Sequence, residues 1–225
     1  MKNEGMILIF FLLFISACSY NPQNQKEGFL ITSDNLKISY NYNEVDSDGA
    51  VILLHMLNLA KEDWNDFTKE LNENGFSTIA IDFRGHGASD LDWESFNEKD
   101  FNNMVLDVEA AKRFLDDKGY KNINIIGASI GANMALKFYE KNQKIDRVVL
   151  LSPGKNYRGV KLSENIDGNV LVISSKDDEQ SYDSSVKVAE NVKENFIGFE
   201  TGGHGTNLLV SHPEIKAKII EFMKK

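Results

Sequence analysis

The chain has 225 residues, of which 42% are hydrophobic and 26% are charged, a balance typical of one globular domain with a sizeable core. Its formal net charge of −9 argues against a nucleic-acid partner, which needs a basic face, and against adhesion to anionic lipid by charge alone. The single cysteine, Cys18, excludes an intramolecular disulfide.

The first 17 residues have the pattern of an export signal. Residues 6–15 form an unbroken apolar run that follows Lys2 and precedes the small residues Ser16 and Ala17. A run of ten apolar residues is too short to cross a bilayer as a helix, which needs roughly 20. The length suits the core of a signal peptide followed by a cleavage site, so we predict a signal peptide over residues 1–17.

The four residues Ile15-Ser16-Ala17-Cys18 resemble the lipobox of bacterial lipoproteins. The resemblance implies that Cys18 is lipidated and that acyl chains hold the protein on a bacterial membrane, outside the cytoplasm. An ordinary secretory signal that ends near a cysteine is the alternative. Residues 18–28 are polar, which predicts a flexible tether between this anchor and a folded domain over residues 29–225.

Short apolar segments predict the strands of that domain. Residues 36–42 alternate apolar and polar side chains, as a half-exposed edge strand does. Most of the others are continuously apolar, which is typical of strands buried on both faces of a parallel sheet. These further predicted strands are residues 51–55, 77–81, 123–126, 148–151, 170–173 and 196–200.

Helical patterns alternate with these strands. Trp64, Phe67 and Leu71 show the three-and-four spacing of one helix face, and Asn74-Gly75 ends the pattern. The predicted helices are residues 64–74, 101–118, 132–141, 184–194 and 213–224. The alternation predicts an α/β fold with a mostly parallel central sheet flanked by helices.

The motif Gly127-Ala128-Ser129-Ile130-Gly131 lies between a predicted strand and a predicted helix. This is the context of a nucleophile elbow, a tight turn that exposes the serine Oγ above the sheet and leaves room only for tiny neighbours. The N–H groups at the start of the helix favour a developing oxyanion. We therefore predict that Ser129 is the nucleophile of a serine hydrolase.

A serine hydroxyl needs a base, and the base needs a carboxylate. His204 lies in a glycine-flanked loop after the last predicted strand and is the predicted base. Asp177 and Asp178 follow the strand at residues 170–173, where a carboxylate would meet His204. We favour Asp178, because the acid usually comes a few residues into such a loop, and keep Asp177 as the alternative.

These features resemble the α/β-hydrolase superfamily over residues 29–225. The order Ser129, Asp178, His204 is the order of the superfamily's catalytic triad. Residues 82–89 (DFRGHGAS) resemble its D-x-R-G-x-G-x-S turn, which is structural in the superfamily. Within this turn, Asp82 and Arg84 are candidates for a buried ion pair.

The resemblance implies an oxyanion hole formed by the backbone N–H groups of Leu57 and Ile130. The superfamily usually has His-Gly-x at the first of these places, whereas this chain has His55-Met56-Leu57. We expect Met56 either to narrow the acyl side of the pocket or to shift the first donor by one residue.

The segment 153–169 between two predicted strands is too short for a helical lid, which predicts an open, shallow site for small or exposed esters. Met56, Trp93 and Tyr157 are candidate pocket residues, with packing of a long connection as the alternative role for Trp93. No grouping of His, Cys, Asp or Glu has metal-ligand spacing, and no glycine-rich turn fits a dinucleotide or phosphate pattern. We therefore expect neither a metal nor a cofactor.

The sequence as a whole predicts a lipid-anchored serine hydrolase that cleaves carboxylic esters through an acyl-enzyme. Its expected partners are a small-molecule ester and the membrane that the lipid enters, and no nucleic acid. A thioesterase or a small-peptide hydrolase on the same fold is one alternative. A non-catalytic envelope protein that uses the fold for binding is another.

Overall fold

The computed structural model describes residues 25–141, 144–162, 166, 169–190, 192 and 195–225. The predicted signal peptide, Cys18 and the first part of the predicted tether lie outside the described residues. Within the described part of the chain, no helix combines the length and the apolar character needed to cross a membrane.

Strands and helices alternate along the domain. The strands are β1 (Gln25–Ile31), β2 (Lys37–Asn43), β3 (Gly49–Leu54), β4 (Phe76–Ile81), β5 (Asn122–Ala128), β6 (Arg147–Leu151), β7 (Asn156–Tyr157), β8 (Val160–Lys161), β9 (Val170–Ser175) and β10 (Phe196–Phe199). The helices are α1 (Asn65–Glu73), α2 (Glu98–Asn103), α3 (Val105–Asp117), α4 (Ile130–Lys141), α5 (Glu179–Ala189), α6 (Asn207–Ser211) and α7 (Glu214–Met223), with 3-10 turns at Lys61–Trp64 and Trp93–Ser95.

Eight of the strands form one sheet in the order β1-β2-β4-β3-β5-β6-β9-β10. The pairs β1–β2 and β2–β4 are antiparallel, and the remaining neighbours are parallel. The predicted fold class, an α/β fold with a mostly parallel central sheet flanked by helices, is confirmed. Because the parallel strands all run the same way, the loops after β3, β5, β6, β9 and β10 meet at one edge of the sheet.

Helices cover both faces of the sheet, so every residue of β3, β4 and β9 is buried. Along β3, Ile52 and Leu54 belong to the core cluster that α3 and α4 close. Val51 and Leu53 belong to the cluster that α1 and α7 close on the opposite face. A strand covered on both faces needs an unbroken apolar run, which is the pattern that identified these strands in the sequence.

The tether is shorter than predicted, because β1 begins at Gln25. Residues 25–28 pair with β2, with Gln25 opposite Asn43 and Gly28 opposite Tyr40. The prediction of a flexible tether as far as Gly28 is therefore wrong for these four residues. An edge strand is held by main-chain hydrogen bonds, so it can form from a polar sequence that lacks an apolar pattern.

The connection between β6 and β9 contains a small hairpin, β7–β8, that the sequence did not indicate. Its turn residues Arg158 and Gly159 have φ values of +53° and +86°. Positive φ at both central residues is the geometry of the tight hairpin turns that suit twisted strands. The described part of residues 153–169 contains no helix, in line with the predicted lack of a helical lid.

Two predicted helices have different bounds in the structure. The predicted helix 101–118 is divided into α2 and α3 at Met104. The predicted helix 184–194 begins earlier, at Glu179, directly after Asp178. The first turns of α5 bury serines rather than apolar side chains, so a search for apolar spacing does not detect them.

The predicted ion pair between Asp82 and Arg84 is wrong. The Asp82 carboxylate accepts hydrogen bonds from the Nζ and the backbone N–H of Lys61, both at 2.8 Å. The Arg84 guanidinium instead binds Asp107 on α3 (2.8 Å) and Asp34 (2.7 Å). The two side chains leave the turn after β4 in different directions, so each finds its partner on a different element.

Candidate active site

Ser129 lies on a sharp turn between β5 and α4. Its φ is +56°, in the left-handed region that non-glycine residues rarely adopt. A Cβ on Gly127 would lie 2.2 Å from the Gly131 carbonyl oxygen, and a Cβ on Gly131 would lie 2.4 Å from that of Leu54. Both positions therefore require glycine, and the turn has the strained strand-to-helix form of a nucleophile elbow.

The turn is joined to the neighbouring strand and to the helix. The Ser129 N–H donates to the Leu151 carbonyl at the end of β6 (2.8 Å), and its own carbonyl accepts from the Ala132 N–H (2.9 Å) as α4 begins. Only 6% of the Ser129 surface is exposed. The serine is thus nearly buried at the edge of the sheet where the carboxyl ends of the strands converge.

His204 contacts Asp178 and not Asp177. Its Nδ1 lies 2.6 Å from Asp178 Oδ2. Asp178 directly precedes α5, and His204 follows β10, so the contact joins two neighbouring loops at the edge of the sheet. Burial raises the pKa of the Asp178 carboxyl, but hydrogen bonds from His204 and Ser181 outweigh this effect and leave the pKa below its ordinary value. Asp178 is therefore ionised at neutral pH.

Asp177 holds the His204 loop in place through hydrogen bonds from the loop's backbone. Its carboxylate accepts hydrogen bonds from the Ser175 hydroxyl (2.5 Å), the Gly202 N–H (3.0 Å) and the Gly203 N–H (3.2 Å). The Ser175 hydroxyl and these backbone N–H groups lower the pKa of Asp177. The two adjacent carboxylates thus have separate partners: one contacts the imidazole, and the other contacts the loop that carries it.

The loop after His204 packs beside the Ser129 turn. The Gly205 N–H donates to Ser152 Oγ (2.9 Å), and Ser152 directly follows β6. A Cβ on Gly205 would lie 3.5 Å from the Ala128 Cβ, so the two loops are in close contact one residue away from both His204 and Ser129. The structure brings Ser129, His204 and Asp178 to the same edge of the sheet.

Tyr157, on the β7–β8 hairpin, lies over this group. Its ring is perpendicular to the His204 ring, with 6.1 Å between the centroids. Its hydroxyl lies 2.8 Å from Ser181 Oγ and donates to the Ser152 carbonyl at 3.2 Å. Burial raises the pKa of the Tyr157 phenol, and hydrogen bonds with Ser181 and Ser129 offset part of that rise. Of the three predicted pocket residues, Tyr157 is thus the one that contacts His204 and the loop after β6 directly.

The backbone N–H groups predicted for the oxyanion hole are available. Ile130 is the first residue of α4, where a helix leaves its N–H groups unpaired. Neither the Ile130 N–H nor the Leu57 N–H donates to an acceptor among the described residues. Leu57 lies in the loop after β3, three residues beyond Leu54, whose carbonyl Gly131 approaches.

His55 orients that loop and was not recognised as a site residue in the sequence. It is fully buried, and its Nε2 accepts a hydrogen bond from the Phe83 N–H (3.0 Å). Its Nδ1 must therefore carry the proton and donate to the Met56 carbonyl at 2.6 Å. Burial lowers the pKa of the imidazole to about 4, so His55 is neutral at neutral pH.

The other two predicted pocket residues have packing contacts. The Met56 sulfur lies 4.0 Å from the Thr206 hydroxyl, and a Cβ on Gly205 would meet it at 2.1 Å. Met56 therefore fills the space between the loop after β3 and the His204 loop. Trp93 stacks on His86 with 5.7 Å between the ring centroids and packs against the core, which favours the packing role for Trp93.

Among the described residues, no group of three or more His, Cys, Asp and Glu side chains is arranged to hold a metal ion.

Residues 45–176 match the family described as serine aminopeptidase, S33, and this range includes the Ser129 turn. The AB hydrolase superfamily protein YisY of Bacillus subtilis (strain 168) is 31% identical over 104 residues, which are 45% of this chain and 37% of that protein. The chain thus spans little more than a third of the length of this relative.

Solved structures have the same fold. An esterase of Pyrococcus furiosus has a TM-score of 0.73 and 22% identity, covering 91% of this chain and 93% of the esterase. An esterase of Exiguobacterium antarcticum has a TM-score of 0.69 and 14% identity, covering 89% of this chain and 100% of the other. At such identities the likeness concerns the fold.

Because His55 is buried, the free energy of unfolding is expected to depend on pH. Its folded pKa of about 4 lies below the ordinary value of 6.5, so between these values the unfolded chain binds a proton that the folded chain does not. The free energy of unfolding should therefore fall by up to about 3 kcal/mol from this residue as the pH decreases from 6.5 to 4. Urea unfolding at several pH values, with His55→Asn as the control that cannot titrate, measures this. Parallel curves for the two proteins would contradict the assignment.

Proposed function

Since the chain belongs to the serine aminopeptidase (S33) family of the α/β-hydrolase superfamily and is a hydrolase, we propose that it cleaves carboxylic esters of small or exposed substrates through Ser129, His204 and Asp178. The contact of 2.6 Å between His204 Nδ1 and Asp178, beside a serine held at a φ of +56°, is the observation that carries this proposal. Esterases are also among the structures that share the fold.

The proposed reaction proceeds through an acyl-enzyme. Ser129 Oγ attacks the acyl carbon while His204 Nε2 accepts the Ser129 proton, and the same imidazole then protonates the leaving alcohol. Asp178 accepts the Nδ1–H and stabilises the imidazolium. Water, deprotonated by His204, attacks the acyl carbon and releases the acid.

The oxyanion of each tetrahedral intermediate is proposed to accept hydrogen bonds from Leu57 and Ile130. Loss of one such donor typically costs about 2.7–4 kcal/mol of transition-state stabilisation. The rigid attachment of the Met56 carbonyl to His55 supports the first donor, because it fixes the loop that carries Leu57.

We propose small substrates because the β7–β8 hairpin occupies the connection between β6 and β9, where a lid could be inserted. The β7–β8 hairpin places the half-buried Tyr157 next to His204, where its ring is proposed to limit the length of the acyl chain. A small-peptide hydrolase is the second candidate, from the name of the family. Both carboxylates after β9 have partners within the protein, Asp178 in His204 and Asp177 in Gly202 and Gly203, which favours the ester over a peptide whose N-terminal ammonium group needs a carboxylate.

Replacement of the nucleophile tests the proposal. Ser129→Ala should lower the hydrolysis of p-nitrophenyl acetate by roughly 10⁴-fold or more and abolish labelling by a fluorophosphonate probe. Ser185→Ala, which removes a buried hydroxyl on α5, is the matched control and should keep both. Equal rates in the wild type and Ser129→Ala would refute the proposal, and an unlabelled wild type would favour a binding protein. Cleavage of alanine p-nitroanilide in preference to the ester would favour the peptidase.

The two adjacent carboxylates are expected to give different phenotypes. Asp178→Asn should lower kcat by roughly 10³–10⁴-fold with a nearly unchanged melting temperature, because the imidazolium loses its anionic partner. Asp177→Asn should mainly lower the melting temperature, because it replaces one of the two oxygens that accept from Gly202 and Gly203 by an NH2 donor and removes the negative charge. Steady-state kinetics and thermal unfolding of the two variants measure this; the reverse pattern would make Asp177 the acid.

We also propose that the protein is anchored to a bacterial membrane by a lipid at Cys18, on the basis of the resemblance of residues 15–18 to a lipobox. Cys18→Ser should release the protein from the membrane fraction, because no acyl chain can then be attached. Fractionation of cells that express either form is the measurement. Recovery of both forms with the membrane would rule out this anchor.

A further inference from the structure

Ser152, the residue after β6, has a backbone conformation that serine rarely adopts. Its φ is +50°, in the left-handed region, although it precedes Pro153, and the residue before a proline is normally held in an extended conformation with negative φ. The residue is fully buried. Such a conformation persists only where the surrounding contacts determine it, and conformations of this kind are common at functional sites.

The backbone at the end of β6 is joined to three neighbouring elements. The Ser152 N–H donates to the Ile173 carbonyl on β9 (2.8 Å), and the Ser152 carbonyl accepts from the Tyr157 hydroxyl (3.2 Å). One residue earlier, the Leu151 carbonyl accepts from the Ser129 N–H (2.8 Å). The end of β6 is thus attached to β9, to the β7–β8 hairpin and to the turn that carries the nucleophile.

The side chain of Ser152 extends this attachment to the loop that carries the base. Its Oγ accepts a hydrogen bond from the Gly205 N–H at 2.9 Å. Gly205 directly follows His204, has a φ of +59°, and leaves no space for a side chain, because a Cβ there would lie 2.1 Å from the Met56 sulfur. The hydrogen bond therefore holds the loop at a sharp turn, one residue from the imidazole.

We propose that Ser152 is a positioning residue, whose hydroxyl holds the loop of the base at a fixed distance from the Ser129 turn through the Gly205 N–H. Ser129 and Gly205 donate to adjacent residues of the chain, so the two loops share one attachment at the end of β6. This attachment positions the His204 imidazole for each proton transfer without contacting the substrate. The inference rests on the proposed function, since it concerns the same reaction.

Two replacements separate the hydroxyl of Ser152 from its backbone conformation. Ser152→Ala and Ser152→Gly both remove the acceptor for the Gly205 N–H, but glycine adopts a positive φ without steric cost. Both variants should lower kcat for p-nitrophenyl acetate roughly tenfold or more with a nearly unchanged KM, because a displaced base slows acylation and deacylation alike. A role limited to backbone strain would instead leave Ser152→Gly with the wild-type kcat.

The contact itself has a readout that does not depend on activity. NMR of protein with isotopically labelled glycine measures the hydrogen-exchange rate of the Gly205 N–H. This N–H should be protected in the wild type and should exchange roughly tenfold or more faster in both Ser152 variants, because it has lost its acceptor. Ser174→Ala, on β9, is the matched control: Ser174 is buried and its hydroxyl has no hydrogen-bond partner among the described residues, so both the exchange rate and kcat should match the wild type.

The outcomes are distinguishable from failure of the proposed function. A wild type without esterase activity would refute the proposed function itself. With an active wild type, a wild-type kcat in Ser152→Gly, a loss confined to KM, or an unprotected Gly205 N–H would overturn the inference and leave the proposed function intact. Rates are expressed per active site, counted by the burst of p-nitrophenol, so that misfolded protein does not contribute. Should Ser152→Ala fail to fold, Ser152→Gly alone decides, since its backbone is free of the strain.

Discussion

The structure of the site depends on one close backbone approach, between the Ser129 turn and the end of β3. With a Cβ on Gly131, the distance to the Leu54 carbonyl oxygen would be 2.4 Å, and with a Cβ on Gly127 the distance to the Gly131 carbonyl oxygen would be 2.2 Å. The absence of side chains at these two positions allows α4 to begin directly over β3. The close approach of the Ser129 turn to the end of β3 therefore sets the relative positions of the serine, the first N–H groups of α4 and the loop after β3.

Helix α4 connects the Ser129 turn to other elements at the same edge of the sheet. Its buried Asn133 binds both sides of the β7–β8 hairpin, and the hairpin carries Tyr157 to the His204 ring. On the other side, the neutral His55 joins the loop after β3 to the end of β4 through two hydrogen bonds. The same rigid framework thus supports the nucleophile, the proposed oxyanion donors and the residue proposed to limit substrate size, which is the arrangement that efficient catalysis requires.

Charges near the site are divided among separate partners. Asp82 binds Lys61, Arg84 binds Asp107 and Asp34, and Asp177 binds backbone N–H groups of the His204 loop. Each of these charges is compensated locally, as burial demands for the buried Asp82, Arg84 and Asp107. Asp178 is the carboxylate that remains directed at the imidazole. Its negative charge is therefore available to stabilise an imidazolium.

Local pattern was enough to predict the α/β fold, the Ser129 turn and the choice of Asp178 and His204 as neighbours. Strands buried on both faces need unbroken apolar runs, and a nucleophile turn needs glycines on both sides of the serine, so both leave direct traces in the sequence. Features held by main-chain bonds or by pairing between distant residues left no such trace. Strand β1 was taken for part of a tether, and Arg84 was assigned to Asp82 although its partners, Asp34 and Asp107, are far away in the chain. The contacts of Tyr157 with Ser181 and His204 likewise depend on how the hairpin folds over α5 and the His204 loop, and only the tertiary structure brings those three segments together.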